Sequence, residues 1–262
     1  MKQRFLPWLV PLSLLCLWQV SGGLGWLSNR VLPTPASVLR AGFQLAASGE
    51  LARHIAISSQ RAALGFAIGG LLGLLLGILT GSSRIAERLI DSTVQMLRTV
   101  PHLALIPLVI LWMGVGETPK VFLVAIGVLF PIYLNTHHGV RTVDPGLIEM
   151  GRVYGLGRWD LFRRVLLWGA LPSILIGVRY ALGVMWLTLI VSETIAATSG
   201  IGYLAMNARE FMRTDVVVLS IVLYALLGKL ADSLARGLER FLLPWHPAHA
   251  RSLPAALPGE LP

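Results

Sequence analysis

The residues of this 262-residue chain that could do chemistry are few, and most stand in or beside long apolar runs. Glu193 lies between Ser192 and Thr194, where an ionised carboxylate facing lipid would cost about 2.5 kcal/mol or more. It must therefore face protein or a water-filled path, and a structural or gating role is expected of it. Arg61 and Arg179 have the sign to meet an anion on such a path, but each lies near a predicted span end, where a long stem can snorkel its charge to the interface. His102, His137, His138 and Cys16 do not recur at zinc-ligand spacing, so no metal site is expected. Neither G-x-S-x-G nor H-E-x-x-H occurs, and no G-x-x-x-x-G-K-[ST] phosphate cradle. The chain is accordingly read as a non-enzyme that binds no cofactor and hydrolyses no nucleotide by that chemistry.

The elements that carry these residues follow from composition. Hydrophobic residues make up 55% and charged residues 13% of the chain, too little polar surface for a soluble domain. Residues 5–27, 62–83, 99–116 and 121–140 contain no Asp, Glu, Lys or Arg, and roughly 18 such residues suffice to cross a hydrocarbon core as a helix. Two further spans are expected, one from residue 172 to 206 interrupted by Arg179 and Glu193, the other from residue 216 reaching Lys229 early. The expectation is an all-α membrane protein of six transmembrane helices. The net charge of +9 is spread between apolar runs rather than gathered into an aromatic-interleaved basic face, so no nucleic-acid partner is expected. Alternate connections hold thirteen against six Lys and Arg, which places both termini in the cytoplasm. The first apolar run follows Lys2 and Arg4, lacks an A-x-A-like cleavage site, and is expected to remain as a helix.

Residues 1–55 are read as an N-terminal helix and outer connection, 56–240 as one membrane domain, and 241–262 as a proline-rich cytoplasmic tail. Within the outer connection, Val38, Leu39, Phe43 and Leu45 form a helical pattern suited to the membrane surface. Gly65, Gly69, Gly73, Gly77 and Gly81 recur every four residues, which lines them along one helix face where another backbone can approach closely. The partner could be another helix of the same chain or a second copy. Residues 198–213, with Gly200, Gly202 and a Glu210/Arg213 pair, suit an outer gate, a partner contact or a plain surface loop. Met150, Met206 and Met212 are read as packing residues.

The longest inner connection, residues 141–171, is patterned. Asp144-Pro145 supplies a cap and first helical position, a short helix follows through Leu147, Ile148, Glu149, Met150, Gly151 and Tyr154, and Gly155 and Gly157 end it around Leu156. Arg158 then opens an amphipathic stretch leading to Pro172. A knob of this kind suits a soluble partner, and a self-sufficient channel or ion-coupled carrier would have no use for it.

Glu149-Met150-Gly151, then Gly155, then Val165-Leu166-Leu167-Trp168 resembles the signature loop of bacterial ABC importer permeases, Glu-Ala-Ala, three residues, Gly, nine residues, Ile-x-Leu-Pro. Met150 and Gly151 replace the alanines, and Trp168 stands where proline is usual. The likeness extends over residues 53–238. RTVPHLALIPLVILW at 98–112, FPIYLNT at 130–136 and SGIGYLAMNAREF at 199–211 are similar to the aliphatic sulfonate permeases of the nitrate/sulfonate/taurine group. The resemblance implies a type I ABC importer permease fold with a cytoplasmic coupling helix, in the bacterial inner membrane. It also implies a homodimer of this chain, two ATP-binding subunits gripping the loop from Leu147 to Arg158, and a periplasmic binding protein delivering the substrate. Taurine, nitrate or another small organic ion is the alternative substrate, and an ATP-independent channel or carrier the alternative class.

Overall fold

The computed structural model describes residues 6–28 and 31–245, and every regular element among them is helical. Lys2 and Arg4 of the first run, Arg30 of the outer connection and residues 246–262 of the tail lie outside the described residues. In chain order the helices are α1 (Leu6–Gly23), α2 (Pro35–Ala47), α3 (Glu50–Ser82), α4 (Arg84–Thr99), α5 (His102–Met113), α6 (Glu117–Arg141), α7 (Pro145–Val153), α8 (Arg158–Ile195), α9 (Ile201–Glu210) and α10 (Thr214–Leu242).

Four of these, α3, α6, α8 and α10, are long and apolar enough to cross a membrane, and α4 with α5, bent by 78° between them, reach that length only as a pair. Apolar α1 falls among the shorter helices, so by length and composition the described residues give four spans, or five with the bent pair, against the six expected. The expected straight helix over residues 99–116 is not formed. Pro101 adopts an extended backbone (φ −62°, ψ 104°), because proline lacks the N–H that would continue the helix and disfavours helical geometry in the residue before it. Two other spans begin earlier than the charge-free runs suggest: α3 starts at Glu50, and α8 runs unbroken from Arg158 through a π-helical turn at Phe162–Leu166. Arg61 and Arg179 therefore sit well inside helices.

Two compact units divide the described residues, and the long helices contribute a part to each. In the first unit (Met1–Gly69, Val100–Gly127, Val184–Gly228), Val38, Ala41 and Leu45 of α2 pack against Leu204 and Ala208 of α9 and Val216 and Leu219 of α10. The outer connection is thus anchored on protein by one face, while Leu39 and Phe43 remain exposed on the other. In the second unit (Gly70–Thr99, Val128–Gly183, Lys229–Pro262), Val140, Val143, Ala170 and Ile174 form the core beneath α7.

The glycine row of α3 faces α6 of the same chain. In the first unit, a methyl group on Gly65 would meet Val124 Cγ1 at 2.5 Å, and one on Gly69 would overlap the Ala125 carbonyl. In the second, methyl groups on Gly73, Gly77 and Gly81 would stand 2.5 Å from Leu129 O, 2.6 Å from Thr136 Cβ and 2.7 Å from Val140 Cβ. Backbone contact this close is what small residues allow where no hydrophobic effect drives helices together. Of the methionines, Met150 and Met212 are exposed rather than packed, and Met212 carries a positive φ of 56° just past the end of α9.

Gly73→Val should lower the thermal midpoint of the detergent-solubilised protein by several degrees, from about 1–3 kcal/mol of overpacking or more. Gly183→Ala, at a helical site with open space around the added methyl, should not lower the midpoint.

Candidate functional site

The connection between α6 and α8 is built as its residues suggest. Asp144 caps α7, its carboxylate accepting from Gly146 N at 2.8 Å, and Pro145 fills the first helical position. Gly155 takes the left-handed conformation (φ 76°) and donates to Arg152 O at 2.9 Å, while Leu156 N reaches Gly151 O at 3.0 Å, closing the helix with the reversal that glycine permits. Gly157 then caps α8, which Arg158 opens.

The two faces of α7 differ. Ile148 packs against the core of Val140, Val143, Ala170 and Ile174, and buried Gly151 lies so near Leu161 that a methyl group there would come within 2.7 Å of its Cδ1. Leu147, Glu149, Met150 and Tyr154 are exposed, as are Val153, Arg158 and Trp159. Leu147, Met150, Val153 and Tyr154 thus form an exposed apolar row at spacings of three and four on a short capped helix, and its inner side packs against residues that end or follow α6 and residues of α8.

A second site lies in the first unit, around a carboxylate with 1% exposure. Glu193 accepts from Ser58 Oγ at 2.8 and 2.9 Å, Arg61 Nη1 at 2.6 Å, Gly202 N at 2.9 Å and Tyr224 Oη at 2.9 Å. Arg61, 2% exposed, uses every N–H it has. Its Nε donates to Glu117 Oε2, Nη1 to Glu193 and to Ser199 O at 2.7 Å, and Nη2 to Glu117 Oε1 at 2.6 Å and Ser199 Oγ at 3.0 Å. Lys120, also buried, donates to Gly116 O at 2.6 Å and stands 3.6 Å from Glu117 Oε1. Two cations thus balance two carboxylates, the condition for holding charge away from water.

This network grips the link between α8 and α9. Besides the two bonds to Ser199, Gly200 N donates to His54 Nδ1 at 3.0 Å and Ile201 N to Ser58 Oγ at 2.9 Å. Gly200 is required twice over: its φ is 108°, and a methyl group there would overlap the Glu193 carboxylate. Residues 198–213 are therefore not a plain surface loop, since α9 buries Ile201, Gly202, Leu204 and Ala208.

The family model for binding-protein-dependent transport system inner membrane components matches residues 69–243. The chain belongs to that family. Over 246 residues the permease is 65% identical to the putative aliphatic sulfonates transport permease protein SsuC of Escherichia coli (strain K12), covering 94% of each chain. It is 47% identical to the protein of the same name from Bacillus subtilis (strain 168), over 90% of this chain and 86% of that one. Among solved structures it resembles an amino acid ABC transporter crystallised with histidines, with a TM-score of 0.60 and 20% identity over 72% of this chain and 92% of the other. That likeness establishes the fold of an ABC importer's membrane subunit. The permease is a multi-pass inner-membrane transport component, and in this class ATP is used by partner subunits.

Of the three charged candidates read from the sequence, the permease brings Glu193 and Arg61 into one network, and neither snorkels. Arg179 belongs to another cluster, where its Nε donates to Asp232 Oδ1 at 2.9 Å. Sequence reading missed Ser58, Glu117, Lys120, Ser199 and Tyr224 in the first cluster and Asp232 in the second. The available signal was the rule that a charge inside a membrane helix demands an opposite one.

Glu193→Gln leaves Arg61 short of one buried counter-charge and should cost the permease about 3 kcal/mol or more, seen as a large fall in its thermal midpoint in detergent. Glu117→Gln should cost less, because the Glu117 side chain is 61% exposed and water screens its pairing.

Proposed function

We propose that this permease carries aliphatic sulfonates inward, as a homodimer served by two ATP-binding subunits and a periplasmic binding protein. Its identity to relatives named for that substrate class supports the substrate, and the exposed apolar face of α7 supports the coupling. Residues 56–240 form the translocation domain, residues 1–55 an added N-terminal segment, and both termini lie in the cytoplasm with residues 241–262 as a tail. No cofactor is held by this chain, and membrane lipid surrounds it.

The coupling follows from packing. When the ATP-binding subunits close and part, they displace α7, and Ile148 and Gly151 pass that displacement to Val140, Val143, Leu161, Val165 and Ala170 at the ends of α6 and α8. A packed core transmits such motion as a rigid-body shift rather than absorbing it. Glu193 and Arg61 serve as a gate: their network holds the α8–α9 link in one arrangement, and opening requires exchanging those bonds together. With all five donors committed, Arg61 is a brace and has none left for a substrate anion.

Uptake of a labelled alkanesulfonate, beside taurine and nitrate, tests this in cells lacking their own sulfonate permease but holding the chain with its ATPase and binding protein. Alkanesulfonate uptake should predominate and fall about tenfold or more in Glu149→Ala and in Gly155→Pro, whose backbone cannot adopt φ 76°. Uptake of taurine or nitrate alone would move the substrate, and transport indifferent to both substitutions would remove coupling through α7.

A further inference from the structure

Arg179 is placed where a cation is hardest to explain by packing. It is the single charge between Arg164 and Glu193 in α8, about 20 Å along the helix from either, hence near the middle of the apolar run. Its side chain is nevertheless 49% exposed. On α10, the side chains of Lys229, Asp232 and Arg236 are 67%, 31% and 36% exposed. The Asp232 carboxylate meets Arg179 Nε at 2.9 Å, Arg236 Nη2 at 2.5 Å and Lys229 Nζ at 4.0 Å. One carboxylate thus faces three cations, and the cluster keeps a surplus of positive charge.

The contrast with Arg61 is chemical. Arg61 spends all its donors on protein, whereas among the described residues Arg179 engages Nε alone and leaves both Nη groups without a protein acceptor. Two parallel N–H pairs on a guanidinium match two oxygens of a tetrahedral or planar oxyanion. The partners stand in the charged final turns of α10, which also carry Glu239 and Arg240, and a net positive group beside an apolar stretch is costly unless water reaches it. A wet wall of one sign raises the local concentration of the opposite ion.

We propose that Arg179, with Lys229 and Arg236 around Asp232, lines the water-filled translocation path and forms an anion-selecting station for the substrate's sulfonate group. Asp232 positions Arg179 by its Nε and leaves the outer fork turned to the path. This deepens the importer reading and rests on it for the substrate, though not for the anion selectivity itself.

Gly183 lies one turn from Arg179 on the same face, with open space at its Cβ, so Gly183→Cys in a Cys16→Ser background reports on the site. In native membranes holding the full complex, an anionic methanethiosulfonate reagent should label that cysteine, and an alkanesulfonate should slow the labelling. Arg179→Gln should slow the anionic reagent about tenfold and leave a cationic one unslowed, and Arg179→Lys should restore most of the anionic rate. The same Arg179→Gln should cut alkanesulfonate uptake while ATP hydrolysis stimulated by the loaded binding protein persists. A Gly183→Cys that no aqueous reagent reaches, or rates indifferent to the charge at residue 179, would overturn the station. Charge-dependent labelling in a permease that takes up no sulfonate would uphold the station and reject the substrate.

Discussion

No water is available in the hydrocarbon interior to complete a hydrogen bond or screen a charge, and the arrangement of this permease follows from that. Backbone groups are satisfied within helices, so what remains is how the helices meet and where side-chain charge goes. The five glycines of α3 answer the first question by letting α6 approach to backbone contact in both compact units. Glu193 answers the second: four donors from three other helices converge on one carboxylate, and its main counter-ion is itself enclosed by Glu117 and Ser199. Removing Arg61 or Glu193 leaves the other buried and short of its counter-charge, and the neutral donors are shared around the same carboxylate, so the set behaves as a unit. A unit of that kind is either intact or exchanged for another arrangement, which is the property an outer gate needs.

The second unit meets the same constraint differently. Around Asp232 the charges are not balanced and the side chains are not enclosed, which is the opening the proposed anion station uses. A closed neutral network suits a gate, and an open cationic one suits passage of an anion. In the proposed coupling, α7 would move such spans, its apolar outer face being exposed while Ile148 on its inner face packs on the core.

Much of this was legible in the sequence wherever the signal was local. Asp144-Pro145 and Gly155 specify α7 through capping and a left-handed φ, each a property of neighbouring residues. The spacing of four in α3 identifies a contact face, though not that α6 occupies it. The pairing of Arg61 with Glu193 was not legible, because the partners are 132 residues apart and the charge-free run beginning at Ala62 set Arg61 outside the span. The helix in fact starts at Glu50, since Glu, Arg and His are good enough helix formers to extend it beyond the apolar stretch. The extent of α8 was not legible for the same reason: Pro172 reads as a boundary, whereas α8 carries it inside the helix.

Energy entry through α7 is the claim on which transport depends, and binding of the ATP-binding subunit measures it directly. The cognate ATPase should co-purify with the intact permease from native membranes and be lost when exposed Val153 and Tyr154 are changed to aspartate, with the permease still folded by its unchanged thermal midpoint. Undiminished co-purification with the doubly substituted protein, or with one lacking residues 147–157, would contradict docking through this helix.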